Sequence, residues 1–121
     1  MSKTIQHLHE EHQDWLSDIE HWWRELEFLE KMIQKIRRQE LKDSLMKASG
    51  ELENKIHHHQ RLLEGLKSTI KSHEAFMSDQ LKEGGNESFF DHQENRKHIN
   101  EFKSSFKQLK HEVFDLSEEV L

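Results

Sequence analysis

Apolar residues recur every third or fourth position from the start of the chain. Ile5, Leu8, His12, Trp15, Ile19, Trp22, Leu26, Leu29, Ile33 and Ile36 follow one another at spacings of three and four without a slip. That alternation keeps one stripe of a helix turned toward a partner over many turns, so it predicts a long first helix that needs other helices to cover it. Leu16 and Trp23 flank the stripe and widen it, as expected of a helix that meets two neighbours. Ser2 or Thr4 is placed to cap its start. The pattern lapses through Arg37, Arg38, Gln39 and Glu40, and a turn is predicted around Arg38 to Asp43, with Asp43 and Ser44 as caps for the next helix.

The second stripe reads Leu41, Leu45, Ala48, Leu52, Ile56, His59, Leu63, Leu66, Ile70, His73 and Met77, with Leu81 near its end. Two spacings of four run together at Ala48, Leu52 and Ile56, which predicts a locally unwound turn. Gly50 beside it marks a candidate kink. Gly84-Gly85-Asn86 has the form of a left-handed helix cap and turn, and Ser88-Phe-Phe-Asp91 that of a helix start. The third stripe then runs His92, Asn95, Ile99, Phe102, Phe106, Leu109, Val113, Leu116 and Val120. Short connections make consecutive helices antiparallel neighbours. The predicted fold is all-α: an elongated up-down-up three-helix bundle with coiled-coil-like packing, a single domain over residues 1–121 with helices at about 3–37, 43–82 and 88–120.

Composition adds limits. Only 32% of residues are hydrophobic and 35% are charged, which without the stripes would suggest disorder. Proline is absent and glycine occurs four times, as long helices require. The net charge of −6, with both signs interspersed, gives no basic face, so no nucleic-acid role is predicted. The short cluster Lys35, Arg37, Arg38 is better explained as cations at a helix C-terminus. With no cysteine, thiolate metal sites and thiol catalysis are excluded. No run is long and apolar enough for a membrane span or a leader, so the expectation is a soluble, cytoplasmic protein.

The segment Leu8-His-Glu-Glu-His12-Gln-Asp-Trp15-Leu16 resembles the opening L-H-x-E-H-x-x-W-L of a family of short uncharacterised bacterial helical proteins. The likeness extends along much of the chain, including Asp91-His92 and Leu109-Lys110. It implies the same three-helix layout with turns near residues 40 and 85, and it carries no established activity. One departure is that Ser68-Thr69 follows Leu66-Lys67 where the family has His-Asp, so a polar site using those positions is altered here.

Eleven histidines give the remaining chemistry. His12, His59, His73 and His92 lie on stripes; His9 flanks one, and the others point elsewhere, including two of the run His57-His58-His59. Counting back from the predicted turns sets His12 level with about residue 69 and His92 beside Met77. His12, His73 and His92 thus approach one end of the bundle, with His9, Glu11, Glu74 and Asp91 nearby. Imidazoles and carboxylates on facing helices suit zinc or iron. The alternative is that these histidines are neutral, hydrogen-bonded, and fix the helix register. In either case buried histidines predict a loss of stability below about pH 6.

Neither Glu-x-x-His nor His-Glu-x-x-His occurs, so a metal site would be irregular or shared between subunits. No catalytic or nucleotide motif stands out, and enzymatic activity is not expected. Trp22, Trp23, Phe28, Phe89, Phe90 and Phe114 exceed what a slender core needs, although core packing is their commoner use. The functional expectation is a non-enzymatic interaction module, as a homo-oligomer or with another protein, the alternative being a metal-binding bundle.

Overall fold

A computed structural model describes the backbone of residues 2–83 and 88–121, and the side chains of residues 6–75 and 92–121. The chain is an all-α three-helix bundle: α1 (Ser2–Arg37), α2 (Asp43–Glu83) and α3 (Ser88–Val120). At about 1.5 Å per residue the 41 residues of α2 span about 60 Å. No helix among the described residues is long and apolar enough to cross a membrane.

Cross-helix bonds fix the directions. Along α1 and α2, Glu30 accepts from Gln60 at 2.8 Å and Arg37 donates to Ser49 at 3.2 Å, a descending and an ascending run side by side. Lys55 with Glu112 and His59 with Ser105 do the same for α2 and α3. Helices α1 and α3 run parallel, and Glu11 meets Arg96 while Glu25 meets Lys110, both pairs 85 residues apart.

The core follows the stripes. In α1, Trp15, Ile19, Trp22, Leu26, Leu29, Ile33 and Ile36 are buried, with Leu16 and Trp23 packed alongside. Full burial of a side chain such as Leu26 or Phe106 stabilises by about 1.5–3 kcal/mol. Helix α2 contributes less apolar bulk, with Leu52, Ile56, Leu63 and Ile70 buried, because Ser49, His59 and His73 take the intervening places.

Ser49 corrects the predicted stripe. It is fully buried whereas Ala48 is not, so the inward residues of α2 run Ser49, Leu52, Ile56, His59, Leu63, with no inserted residue. Helix α2 runs without a break through Gly50. Gly50 has another use: a Cβ there would stand 2.8 Å from the Arg37 guanidinium, which reaches across to Ser49. Ser49 in turn donates to the Met46 carbonyl at 2.7 Å, so this polar group is satisfied inside the core.

Asp43 sits inside the first turn of α2 rather than capping it, because the first amides bond to the Lys42 carbonyl. Its charge still complements the positive helix end. Lys35 and Arg37 occupy the last turn of α1. The proposed cap at Ser2 or Thr4, the turn at Gly84-Gly85-Asn86 and the side chains of Met77, Leu81, Phe89, Phe90 and Asp91 lie outside the described residues.

Candidate metal centre

Toward the end of the bundle away from the α1–α2 turn, the apolar core gives way to three imidazoles. His12, His73 and His92 are 0%, 6% and 0% exposed, one from each helix. One ring nitrogen from each lies within 4.8 Å of the others. Periodicity puts them inside, because each holds a position that an apolar residue holds one turn away. Helix register then brings them level: His12 meets Glu74, more than a turn further along α2 than the count back from residue 40 places it.

A second row of polar groups grips these rings from outside. Glu74 accepts from His12 Nδ1 and from His9 Nδ1 through its two carboxylate oxygens. Glu11 accepts from His92 Nε2 at 2.5 Å and from Arg96 at 2.6 and 3.0 Å. His92 Nδ1 and His12 Nε2 face each other at 3.0 Å. Trp15 stacks on His92 with centroids 4.7 Å apart, which fixes the ring plane. Asn95 Nδ2 lies 3.2 Å from His73 Nδ1 and donates to it.

Of the seven residues expected at this end, the six whose side chains are described take two roles. His12, His73 and His92 converge, while His9, Glu11 and Glu74 stand behind them as hydrogen-bond partners. Arg96, Asn95 and Trp15 complete the surroundings. Asn95, a polar residue on a stripe, carried a signal in the sequence. Arg96 carried only its place four residues after His92. Ser68 and Thr69, where the chain departs from the resembling family, are exposed and outside the cluster.

Electrostatics favour a neutral His92 beside a charged Glu11. The hydrogen bonds from Arg96 hold the Glu11 carboxyl down at about 2 against the opposing effect of burial, and His92 adds to the lowering. Burial pushes His92 below the usual imidazole value, with Glu11 partly resisting.

Counting hydrogens exposes a deficit. Neutral His92 uses its single N–H on Glu11, so its Nδ1 is an acceptor and His12 Nε2 must donate to it. If His12 also carries a single hydrogen, none is left for the bond from Nδ1 to Glu74. Three contacts in a row need one hydrogen more than two singly protonated rings carry. A second hydrogen on His12 removes the conflict, and so does a cation placed between the facing ring nitrogens. With the cation each of these two rings keeps one outward N–H, directed at a carboxylate, which is the usual support of a metal-bound histidine.

The spacing is close to what an ion needs. Ligand nitrogens about 2.0–2.1 Å from a tetrahedral ion are about 3.3 Å apart. The His12–His92 pair at 3.0 Å is already near that value. The widest separation, 4.8 Å, has to contract by roughly 1.5 Å, within reach of a rotamer adjustment.

His59, the fourth stripe histidine, is a different case. Its Nδ1–H donates to the Lys55 carbonyl at 2.7 Å, and Nε2 meets the Ser105 hydroxyl at 2.7 Å. Both nitrogens are used, so it is a satisfied core residue.

No protein-family model matches the chain, and neither a curated protein nor a solved structure does.

Proposed function

We propose that this protein binds a divalent transition-metal ion through His12, His73 and His92, with zinc the best fit and iron next. The observation that carries the reading is the convergence of three buried imidazoles, one from each helix, with His12 and His92 backed by the carboxylates of Glu74 and Glu11. Neutral imidazoles backed by carboxylates suit zinc, and three protein nitrogens leave room for an exogenous ligand.

The test is elemental analysis of untagged protein purified without chelator, followed by zinc titration against a chromophoric chelator. Wild type retains about one equivalent, His12→Ala and His92→Ala lose it, and His59→Ala keeps it. A metal-free wild type that competes no better than His12→Ala refutes the reading.

A self-association role has one specific observation in its favour. Phe28 and Phe114 are 57% and 43% exposed. They lie at the same level of the parallel pair α1 and α3, one turn beyond the Glu25–Lys110 contact. Exposed aromatics at one level of the bundle suit a second copy of the chain. Light scattering decides: a dimer in wild type that becomes a monomer in Phe28→Ser/Phe114→Ser supports it, and a monomeric wild type removes it.

A further inference from the structure

The hydrogen bonds of His59 have one consistent assignment. A carbonyl only accepts, so Nδ1 carries the hydrogen of the 2.7 Å bond to Lys55. Nε2 of the neutral ring is then a bare lone pair, and the Ser105 hydroxyl donates to it at 2.7 Å. A serine hydroxyl aimed at an imidazole whose far nitrogen is held by an oxygen is the arrangement that activates a nucleophile. Here the Lys55 carbonyl, rather than a carboxylate, fixes the tautomer and the ring. His59 is buried and Ser105 exposed, so the base is shielded while the hydroxyl is open to a ligand.

Ser105 opens on a groove of about 800 Å³ between α2 and α3. Leu62 and Phe102 line it one turn from His59 and from Ser105, and Leu66 lies further along. Leu62 is 43% exposed, an apolar side chain facing open space. Gly65 keeps the groove wide, since a Cβ there would meet nothing within 4 Å. Arg61 lines the same groove and makes no hydrogen bond or ion pair with a described residue, which leaves its guanidinium for a developing oxyanion. Glu101 and Glu94, on α3 before Ser105, line the groove toward His73. With those carboxylates against one guanidinium the groove gives no advantage to an anion, and an uncharged substrate with an apolar chain suits it.

We infer that Ser105 and His59 hydrolyse uncharged carboxylic esters whose acyl chain lies along Leu62 and Leu66. Oγ attacks the ester carbonyl carbon as its proton passes to Nε2. The carbon–oxygen bond to the alcohol breaks, and the alcohol leaves with that proton. Water then attacks the acyl-serine, Nε2 takes a proton from it and returns one to Oγ, and the carboxylic acid departs. The site lies apart from the three imidazoles, and no step needs a metal ion.

An alkyl fluorophosphonate, which bonds covalently to activated serines, is expected to label the wild type once, at Ser105 by peptide mass. In Ser105→Ala the label is lost and kcat/KM for p-nitrophenyl octanoate falls at least about 100-fold; in His59→Gln labelling slows by at least about 100-fold. Circular dichroism confirms that both variants are folded. Each methylene buried multiplies affinity by roughly three to four, so a half-buried chain of six additional carbons gives p-nitrophenyl octanoate at least about a 30-fold advantage in kcat/KM over the acetate. In Gly65→Leu, which fills the groove, that advantage drops below about three-fold. A wild type that is not labelled or is labelled elsewhere, a smaller loss in folded Ser105→Ala, as hydrolysis at a bound zinc would give, or equal rates for the two esters overturns the inference.

Discussion

Replacing Glu11 by Gln tests how the second row supports the buried rings. The substitution keeps the shape and one acceptor oxygen, so His92 Nε2–H retains a partner, but it removes the charge that holds Arg96 through two bonds. A carboxyl moved from 4.5 to about 2 corresponds to about 3 kcal/mol as an upper bound. Solvent screening reduces it, since Glu11 is 23% and Arg96 40% exposed, and about 1–2 kcal/mol is expected at pH 7. For a chain of this length that lowers Tm by about 3–8 °C. The pH dependence has a definite sign. Below pH 4.5 the unfolded chain protonates residue 11 while the folded chain resists until about 2, so the contribution is complete above 4.5 and lost between those values. The assay is urea unfolding of wild type and Glu11→Gln from pH 7 down to pH 2.5, on metal-free protein. The two curves should converge as the pH falls. Equal stability at pH 7, or a gap that persists undiminished at pH 2.5, refutes the claim that Glu11 acts through its charge.

Four further outcomes follow from particular contacts. Zinc at about 100 times its Kd should stabilise the wild type by about 2.7 kcal/mol and raise Tm by roughly 8–13 °C, with no rise in His92→Ala; calorimetry checks it. Gly65→Ala should stabilise by about 0.5–1 kcal/mol in urea unfolding because nothing opposes the new Cβ. Gly50→Ala should come out within about 0.5 kcal/mol of wild type, since the helix gain is offset by displacing Arg37 from Ser49. Metal-free protein should lose stability between pH 7.5 and 5.5, because the unfolded His92 ring takes a proton near 6.5 that burial denies the folded one; a Tm unchanged over that range counts against it.

Helix existence and the identity of the inward histidines were legible because both depend on periodicity alone. The four stripe histidines, His12, His59, His73 and His92, are the buried ones. What periodicity does not encode is polarity at a stripe position: a stripe read from apolar residues passes through Ala48. The structure buries Ser49 instead, since Met46 and Arg37 satisfy its hydroxyl. Lateral register is a second blind spot. A count from the turn misplaced His12 along α2 because helix ends and the turn between them set an offset that no single stripe records. The outer row was harder still, for Arg96 reaches Glu11 across an interface 85 residues apart in sequence, and only the packed pair of parallel helices brings them together.

The same contrast separates two histidines that look alike in sequence. His59 and His12 both hold an inward position with a helical neighbour of similar size. His59 meets a backbone carbonyl on one side and a hydroxyl on the other, and a hydroxyl both donates and accepts, so a neutral ring fits without adjustment. His12 meets a carboxylate on one side and, on the other, a second imidazole whose own hydrogen is already spent on a carboxylate. A carboxylate only accepts, so a ring with one hydrogen satisfies both of its neighbours at His59 but not at His12. Burial makes them both core residues; the partners beyond the ring leave one of them complete with a single hydrogen and give the other a reason to hold a cation.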